Sequence, residues 1–254
     1  MVFALKGATL VRDVDDDGSP ICELLSWDSE FFGFPVARTT LDRPDGSAVL
    51  RIVEWCVERG IRCLYHSADP DWPQGLAAVS SAGFQLLDIR HEMRYVPDAA
   101  AEPPCQDRFV VRGARESDRG ELVQLAQSSF TSTRFFRDEG FPRDRVGVLY
   151  GTWLERALNE GLVFVVSSNG EADGFVACES GPDGLRIVLL AVAEESRGQS
   201  MGDSLVRHVI RWACDHGSPP ISVVTQGSNV RALRTYEGSD FRTHRVSFWY
   251  HRWF

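Results

Sequence analysis

The sequence predicts an α/β fold: a mixed central sheet flanked by helices, in a chain divided into two lobes. Three observations predict it. From residue 108 onward, apolar runs of strand length alternate with amphipathic stretches of helical spacing. Two of those runs, "LVFVVSS" (162–168) and "DGFVACES" (173–180), are separated by "NGEA", and the Asn-Gly pair marks a hairpin. Upstream, "VPDAAAEPPCQD" (Val96–Asp107) sets prolines among small residues, which favours an extended connector between residues 1–98 and 107–254.

Taken in order, the second lobe opens with "RFVVRGA" as a strand. "ESDRGELVQLAQSSF" follows as a helix with Ser117 and Asp118 as capping candidates and Leu122, Leu125 and Ala126 on one face. "RVGVLYGTWLERALNEG" reads as a second helix, and after the hairpin "LRIVLLAVA" reads as a buried strand. Gly202–His216 is helical, "ISVVTQG" is another buried strand, "NVRALRTYEGSDF" has helical spacing, and "RVSFWYHRWF" is an aromatic-rich strand. In the first lobe, Ile61–Val96 runs strand, loop, helix, Gly-Phe, strand, and "ISVVTQG…HRWF" repeats that order. The echo predicts that the first lobe is a degenerate half of the same fold, walling the acceptor site.

Composition narrows the function. The 254 residues, 43% of them hydrophobic, suffice for a substantial core without staples. Lys and Arg number 27 against 36 Asp and Glu, a net charge of −9 with no acidic tail, so sequence-independent nucleic-acid binding is not expected. The six cysteines form no CxxC pair, which predicts neither a metal site nor a disulfide framework. No basic leader precedes a sustained apolar segment and no apolar run is long enough to span a bilayer, so no membrane association and a cytoplasmic location are expected.

The chemistry concentrates where the strand "LRIVLLAVA" gives way to a helix through "RGQSMG". A helix starting there presents unpaired N–H groups and the positive end of its dipole, and glycines let a ligand approach the backbone. The loop has the form of a pyrophosphate cradle. Arg197, Gly198, Gln199, Ser200, Met201 and Gly202 resemble the Arg/Gln-x-x-Gly-x-Gly/Ala signature of the GNAT (Gcn5-related) N-acetyltransferases, with Ser200 where that family usually has glycine. "GSNVRALRTYEGSDF" resembles its second motif through Asn229, Ala232, Tyr236 and Phe241, with Asp240 replacing the usual glycine. The resemblance covers residues 107–254 and implies the GNAT fold and acetyl-CoA as cosubstrate. It implies cofactor contacts from Leu190, Ala191 and Val192, from Arg197 through Asp203, and from Asn229, Ala232 and Tyr236. Tyr236 would be the general acid that protonates the departing thiolate. Bland readings stand beside these: Asn229 as a helix cap, Tyr236 as a packed helix tyrosine.

The first lobe narrows the resemblance. "LSWDSEFFGFPVAR" (Leu25–Arg38), "SSFTSTRF", Tyr150-x-x-Trp153 with Glu155, and "FWYHR" resemble segments of the dTDP-fucosamine (dTDP-4-amino-4,6-dideoxygalactose) acetyltransferases of the WecD type. That resemblance implies a nucleotide-linked amino sugar as the amine acceptor, with Arg134 and Phe135 lining its pocket; an ordinary amphipathic loop over "RFFRD" is the alternative. In "FQLLDIRHEM", alternation puts Leu87, Ile89, His91 and Met93 on one face and Asp88, Arg90 and Glu92 on the other. Residue 88 falls where the resembling enzymes carry a pocket carboxylate, so Asp88 is the first candidate for the base and His66 the second. A structural Asp88–Arg90 ion pair is the alternative. Trp249, Tyr250 and Trp253 are expected in the core or at a homodimer interface. No cysteine lies in either motif, which favours direct transfer in a ternary complex over an acyl-enzyme. Two other readings remain open: a GNAT enzyme for another small amine (an aminoglycoside, an amino acid or a biosynthetic intermediate), and a CoA-binding protein without catalysis, suggested by Ser200 and Asp240.

Overall fold

The structure, a computed structural model, describes residues 21–97, 109–168, 170–217 and 219–254. Most of the connector, Cys105 and Asn169 of the hairpin turn lie outside them.

The chain opens with β1 (Cys22–Leu24), α1 (Ser26–Phe32) and β2 (Val36–Thr39). Helix α1 stops at Gly33, whose φ of +82° suits glycine and whose N–H donates to the Ser29 carbonyl. The Ser29 hydroxyl accepts from the Val36 N–H at 2.9 Å and ties the helix to β2. Helix α2 (Gly46–Glu58), which periodicity had not singled out, starts at Asp45, whose carboxylate accepts from the Ala48 N–H at 2.7 Å. It buries Val49, Ile52, Trp55 and Cys56, the i, i+3, i+6, i+7 stripe of an amphipathic helix. Strand β3 (Cys63–Ala68), α3 (Pro73–Ser81) and β4 (Gln85–Tyr95) follow in the expected order.

Strand β5 (Val110–Gly113) leads through a 3-10 turn (Glu116–Asp118) into α4 (Arg119–Ser129). Asp118 organises this start: it takes two bonds from Arg112 (2.6 and 2.9 Å) and one from the Arg115 N–H (2.7 Å). Then come α5 (Arg134–Arg137), α6 (Arg143–Glu160), β6 (Leu162–Ser167), β7 (Gly174–Gly181), β8 (Gly184–Val192), α7 (Met201–Asp215), β9 (Ile221–Gln226), α8 (Val230–Glu237) and β10 (Arg242–Trp253). Each second-lobe element expected from the sequence is present, with ends differing by a few residues.

These elements form two compact units whose membership is not contiguous in sequence. The first takes the chain up to Arg90 together with Thr133–Arg145 and Val246–Phe254, two stretches that the reading by lobes grouped with the second half. Its strands pair β1 antiparallel to β2, β2 parallel to β3, and β3 antiparallel to β10, with Ala68 opposite Phe248 and Cys63 opposite Trp253. Its core gathers Ala37, Val49, Ile52, Trp55, Leu64, Val79, Phe84 and Tyr250. Trp249 is buried as well, as the core reading of these aromatics expects.

The second unit holds His91–Ser132 and Val146–Arg245. Strands β5 to β8 run antiparallel in sequence, and β9 lies parallel to β8. Helix α7 lays Leu205, Val206, Val209, Ile210 and Ala213 against Val166, Val176, Leu185, Ile187 and Val223. Strand β4 departs from simple alternation: Leu87 and Met93 are buried, but Ile89 is 40% exposed. The strand passes from the first unit to the second after Arg90, so its residues take their surroundings from a different unit on either side of that point. Among the described residues no helix is long and apolar enough to cross a membrane.

Candidate active site

In the second unit, β8 and β9 pair only from Leu185–Ile221 to Ile187–Val223. Val188–Val192 runs on beyond that pairing and ends at the turn preceding α7. Parallel strands that part at their carboxyl ends open a crevice whose walls are backbone amides, a common ligand position in α/β sheets. Val192 and Arg197 close the turn, the Arg197 Nε donating to the Val192 carbonyl at 3.0 Å. Ser196 is held from below by Asp173, which also accepts from the Ser168 hydroxyl and N–H.

The turn itself is left-handed at two points, Gly198 (φ +79°) and Ser200 (φ +65°). A Cβ built on Gly198 meets nothing within 4 Å, and one on Gly202 meets only ordinary contacts with Thr235 and Leu190. The backbone is therefore bare where a phosphate would approach. The Ser204 N–H makes a bond to Ser200 O, so the N–H groups of Met201, Gly202 and Asp203 precede the helical ladder and point out of its end. Fifteen residues of α7 stand behind them with an aligned dipole. These features fit a pyrophosphate, and the chain's own contribution there is backbone N–H rather than a basic side chain.

Helix α8 begins at Asn229, whose side-chain oxygen accepts from the Ala232 N–H at 3.2 Å, so this residue is a helix cap whatever else it touches. One face of α8 carries Tyr236 into the core, where its ring lies 5.5 Å from that of Phe241 and close to Cys178. Burial pushes the Tyr236 phenol up, with Cys178 adding to the effect, so it stays protonated at neutral pH. That is the form a general acid requires. After α8 the chain turns through Asp240 at φ +64°.

The first unit contains the other predicted site residues. His66 is 1% exposed, with Nδ1 2.7 Å from the Thr39 hydroxyl and its ring packed on Phe84 and Tyr250. Burial pushes it down to about 4, so the imidazole is neutral; these are the surroundings of a core histidine. Asp88 accepts from the Ile89 N–H at 2.9 Å and lies 3.9 Å from Arg137. Burial raises its carboxyl above the usual range although Arg137, the Ile89 amide and Arg134 pull the other way. The cation bearing on Asp88 is thus Arg137 rather than Arg90, whose guanidinium stands 5.2 Å from the Trp249 ring centre.

Arg134 and Phe135, expected together, are both buried, in α5. The Arg134 guanidinium carbon lies 4.9, 4.2 and 4.5 Å from the ring centres of Tyr65, Phe135 and Trp249. Asp138, just after α5, accepts from His251 Nδ1 (2.6 Å), Trp253 Nε1 (3.0 Å) and the Gly140 N–H (3.0 Å). Burial alone would raise Asp138, but these donors hold it below the usual carboxylate range, and burial pushes His251 down. The segment bearing Arg134 is thereby pinned to β10. Sequence reading did not single out Asp28, Tyr65, Asp138 or His251; the visible signal was the set of charged residues embedded in aromatic runs, "WDSEFF", "RFFRD" and "WYHRW".

Parted parallel strands and a turn of free N–H groups at a helix start suit a donor that carries a pyrophosphate, as coenzyme A does. Residues 121–241 match the Acetyltransferase (GNAT) family, and the chain carries a GNAT acetyltransferase domain. It is 26% identical over 241 residues to the dTDP-fucosamine acetyltransferase of Escherichia coli O6:H1, an alignment covering 91% of this chain and 97% of that protein. It is 29% identical over 147 residues to the spore coat polysaccharide biosynthesis protein SpsD of Bacillus subtilis, covering 57% of this chain but only 51% of that one. A GCN5-related N-acetyltransferase structure from Sphaerobacter thermophilus superposes with a TM-score of 0.66 at 15% identity, covering 94% of this chain and 79% of that one, which establishes the fold.

Proposed function

We propose that the protein acetylates the amine of a nucleotide-linked deoxyamino sugar by direct attack in a ternary complex. The observation that carries this reading is the extent of the similarity to the dTDP-fucosamine acetyltransferase, which runs over 91% of the chain and so is not confined to the residues matching the GNAT family.

Acetyl-CoA supplies a thioester carbonyl activated toward an amine. The chain's residues do the rest. The turn from Arg197 to Gly202 and the first N–H groups of α7 hold the pyrophosphate, with Leu190, Ala191, Val192, Asp203, Asn229 and Ala232 around the remainder of the donor. Asp88 takes a proton from the acceptor ammonium, directly or through water, and frees the nitrogen lone pair. The amine attacks the carbonyl, the carbon–sulfur bond breaks, and the Tyr236 hydroxyl delivers a proton to the sulfur, so that an ammonium and a thioester become an amide, a thiol and a released proton. Arg134 and Phe135 contribute to the acceptor's surroundings. The first-unit half of the chain is proposed to act as a degenerate copy of the same fold that serves acceptor recognition.

The test is acetyl-CoA consumption over a set of amines. Turnover with dTDP-4-amino-4,6-dideoxygalactose or a related nucleotide amino sugar, well above that with aminoglycosides and free amino acids, is the expected result. Preference for one of the latter would move the acceptor class, and release of CoA with none of them would favour a binding protein.

A further inference from the structure

The polar cluster of the first unit contains a carboxylate that the reaction as described does not use. Asp28 sits in the first turn of α1, fixed by the Gly33 cap and by the Ser29 hydroxyl bonded to β2. Its carboxylate accepts from the Tyr65 hydroxyl at 3.3 Å, the one side chain that donates to it among the described residues. The face of the same tyrosine carries the Arg134 guanidinium. Arg134 is held by three aromatic faces rather than by a fork onto a carboxylate: it is 8% exposed, and its buried Nε has no hydrogen-bond partner among the described residues. Tyr65 thus places a carboxylate with spare acceptor capacity beside a guanidinium with a spare donor. The Arg134 Nε is an exception to the rule that buried polar groups find partners, and the Asp28 carboxylate accepts from a single side chain among the described residues.

We propose that Asp28 and Arg134 form a two-point clamp for an amine bearing a neighbouring oxygen, the Asp28 carboxylate taking the ammonium and the Arg134 Nε–H donating to that oxygen. The assignment rests on the amine-acetylating reading above and narrows its acceptor to amino alcohols and amino sugars. An ammonium supplies three N–H donors and a positive charge, which Asp28 lacks, while a hydroxyl or ring oxygen supplies the acceptor that Arg134 lacks. Burial raises the Asp28 carboxyl despite Arg134 and the Tyr65 hydroxyl, as expected of a carboxylate not fully compensated. Asp88, already bonded by the Ile89 N–H and near Arg137, remains the proton acceptor; Asp28 binds.

The test compares dTDP-4-amino-4,6-dideoxygalactose with its neutral 4-hydroxy counterpart, dTDP-6-deoxygalactose, by calorimetry on the full chain. Wild type is expected to bind the amine about tenfold or more tightly than the alcohol, the discrimination a charge-assisted hydrogen bond supplies. Asp28→Asn should bring the two affinities within about twofold, leaving that for the alcohol unchanged, and Asp28→Glu should restore part of the preference. Undiminished preference for the amine in Asp28→Asn overturns the clamp and leaves the nucleotide-sugar reading standing. If wild type binds neither compound, the nucleotide-sugar reading fails, and the clamp is judged on wild type with methylammonium chloride by following the Asp28 carboxyl carbon through its NMR titration. A midpoint lowered by the cation supports it, and an unmoved midpoint overturns it.

Discussion

Ser200 and Asp240 hold left-handed backbone (φ +65° and +64°) at the two places where the GNAT signature usually has glycine. The Ser200 hydroxyl makes no cap bond to its own helix, whereas the Asp240 carboxylate accepts from Arg242 at 3.1 Å. Ser200→Gly relieves the left-handed penalty and adds flexibility to the unfolded chain, two terms of opposite sign, so the variant should be neutral to about 1 kcal/mol more stable in thermal unfolding, with the acetyl-CoA KM no higher. A clear loss of stability would show that the serine side chain is needed. Tyr236→Phe keeps the packing against Phe241 and removes the hydroxyl; turnover should fall roughly 10²- to 10⁴-fold with little change in acetyl-CoA affinity. Asp88→Asn separates catalysis from structure. A carboxyl raised above its ordinary 3.8 is protonated more readily in the folded chain, so the stability it contributes is present below 3.8 and lost as pH rises through the raised value. At pH 7 the charge therefore disfavours folding, and the asparagine variant should melt no lower than wild type. Its kcat/KM for the amine should nevertheless drop at pH 7 and recover in part at higher pH as free amine accumulates.

At the scale of elements, the start of α4 shows the opposite sign. Arg112 holds the Asp118 carboxyl below the usual range against the opposing effect of burial, the Arg115 N–H helping, so its contribution is present above 3.8 and lost as pH falls through the lowered value. Asp118→Asn should cost about 1–3 kcal/mol near neutral pH in denaturant unfolding, and the difference from wild type should shrink in acid. Elements of this kind were largely legible in the sequence. The β6–β7 hairpin, α7 with its Leu205-Val209 stripe and the cap at Asn229 all rest on residues within a few positions of one another, and local periodicity records them. Helix α2 was equally legible, since the Pro44-Asp45-Gly46 turn, the Asp45 cap and the Val49-Ile52-Trp55-Cys56 stripe are all local, and the sequence reading passed over it. The unit to which an element belongs was not legible. Arg134 folds with Tyr65 and Trp249, and Asp138 with His251, through pairings between distant stretches that leave no periodic trace. The turn before α7 was legible for the converse reason: a strand, the intervening turn residues and a helix suffice to build it. Asp28 stood in plain view within "WDSEFF", yet its importance comes from Tyr65 and Arg134, which only the fold supplies.

At the scale of the whole molecule, the proposed function assigns acceptor chemistry to a unit assembled from three separate stretches of chain. Residues 107–254 expressed alone would retain Thr133–Arg145 and Val246–Phe254 but lose the strands and helices they fold with, including β3, which pairs with β10. Such a fragment should be poorly soluble and acetylate no acceptor, whereas a soluble fragment with full activity would show that the first unit is dispensable. The same pairing has a consequence in time. Cys63 must find Trp253 across most of the chain, and closing so long a loop is entropically costly before its contacts form, while the turn and helix proposed to receive the donor are nearly local. On dilution from denaturant, acetyl-CoA binding should therefore reappear ahead of amine binding, leaving for an interval a population of molecules charged with donor and blind to acceptor.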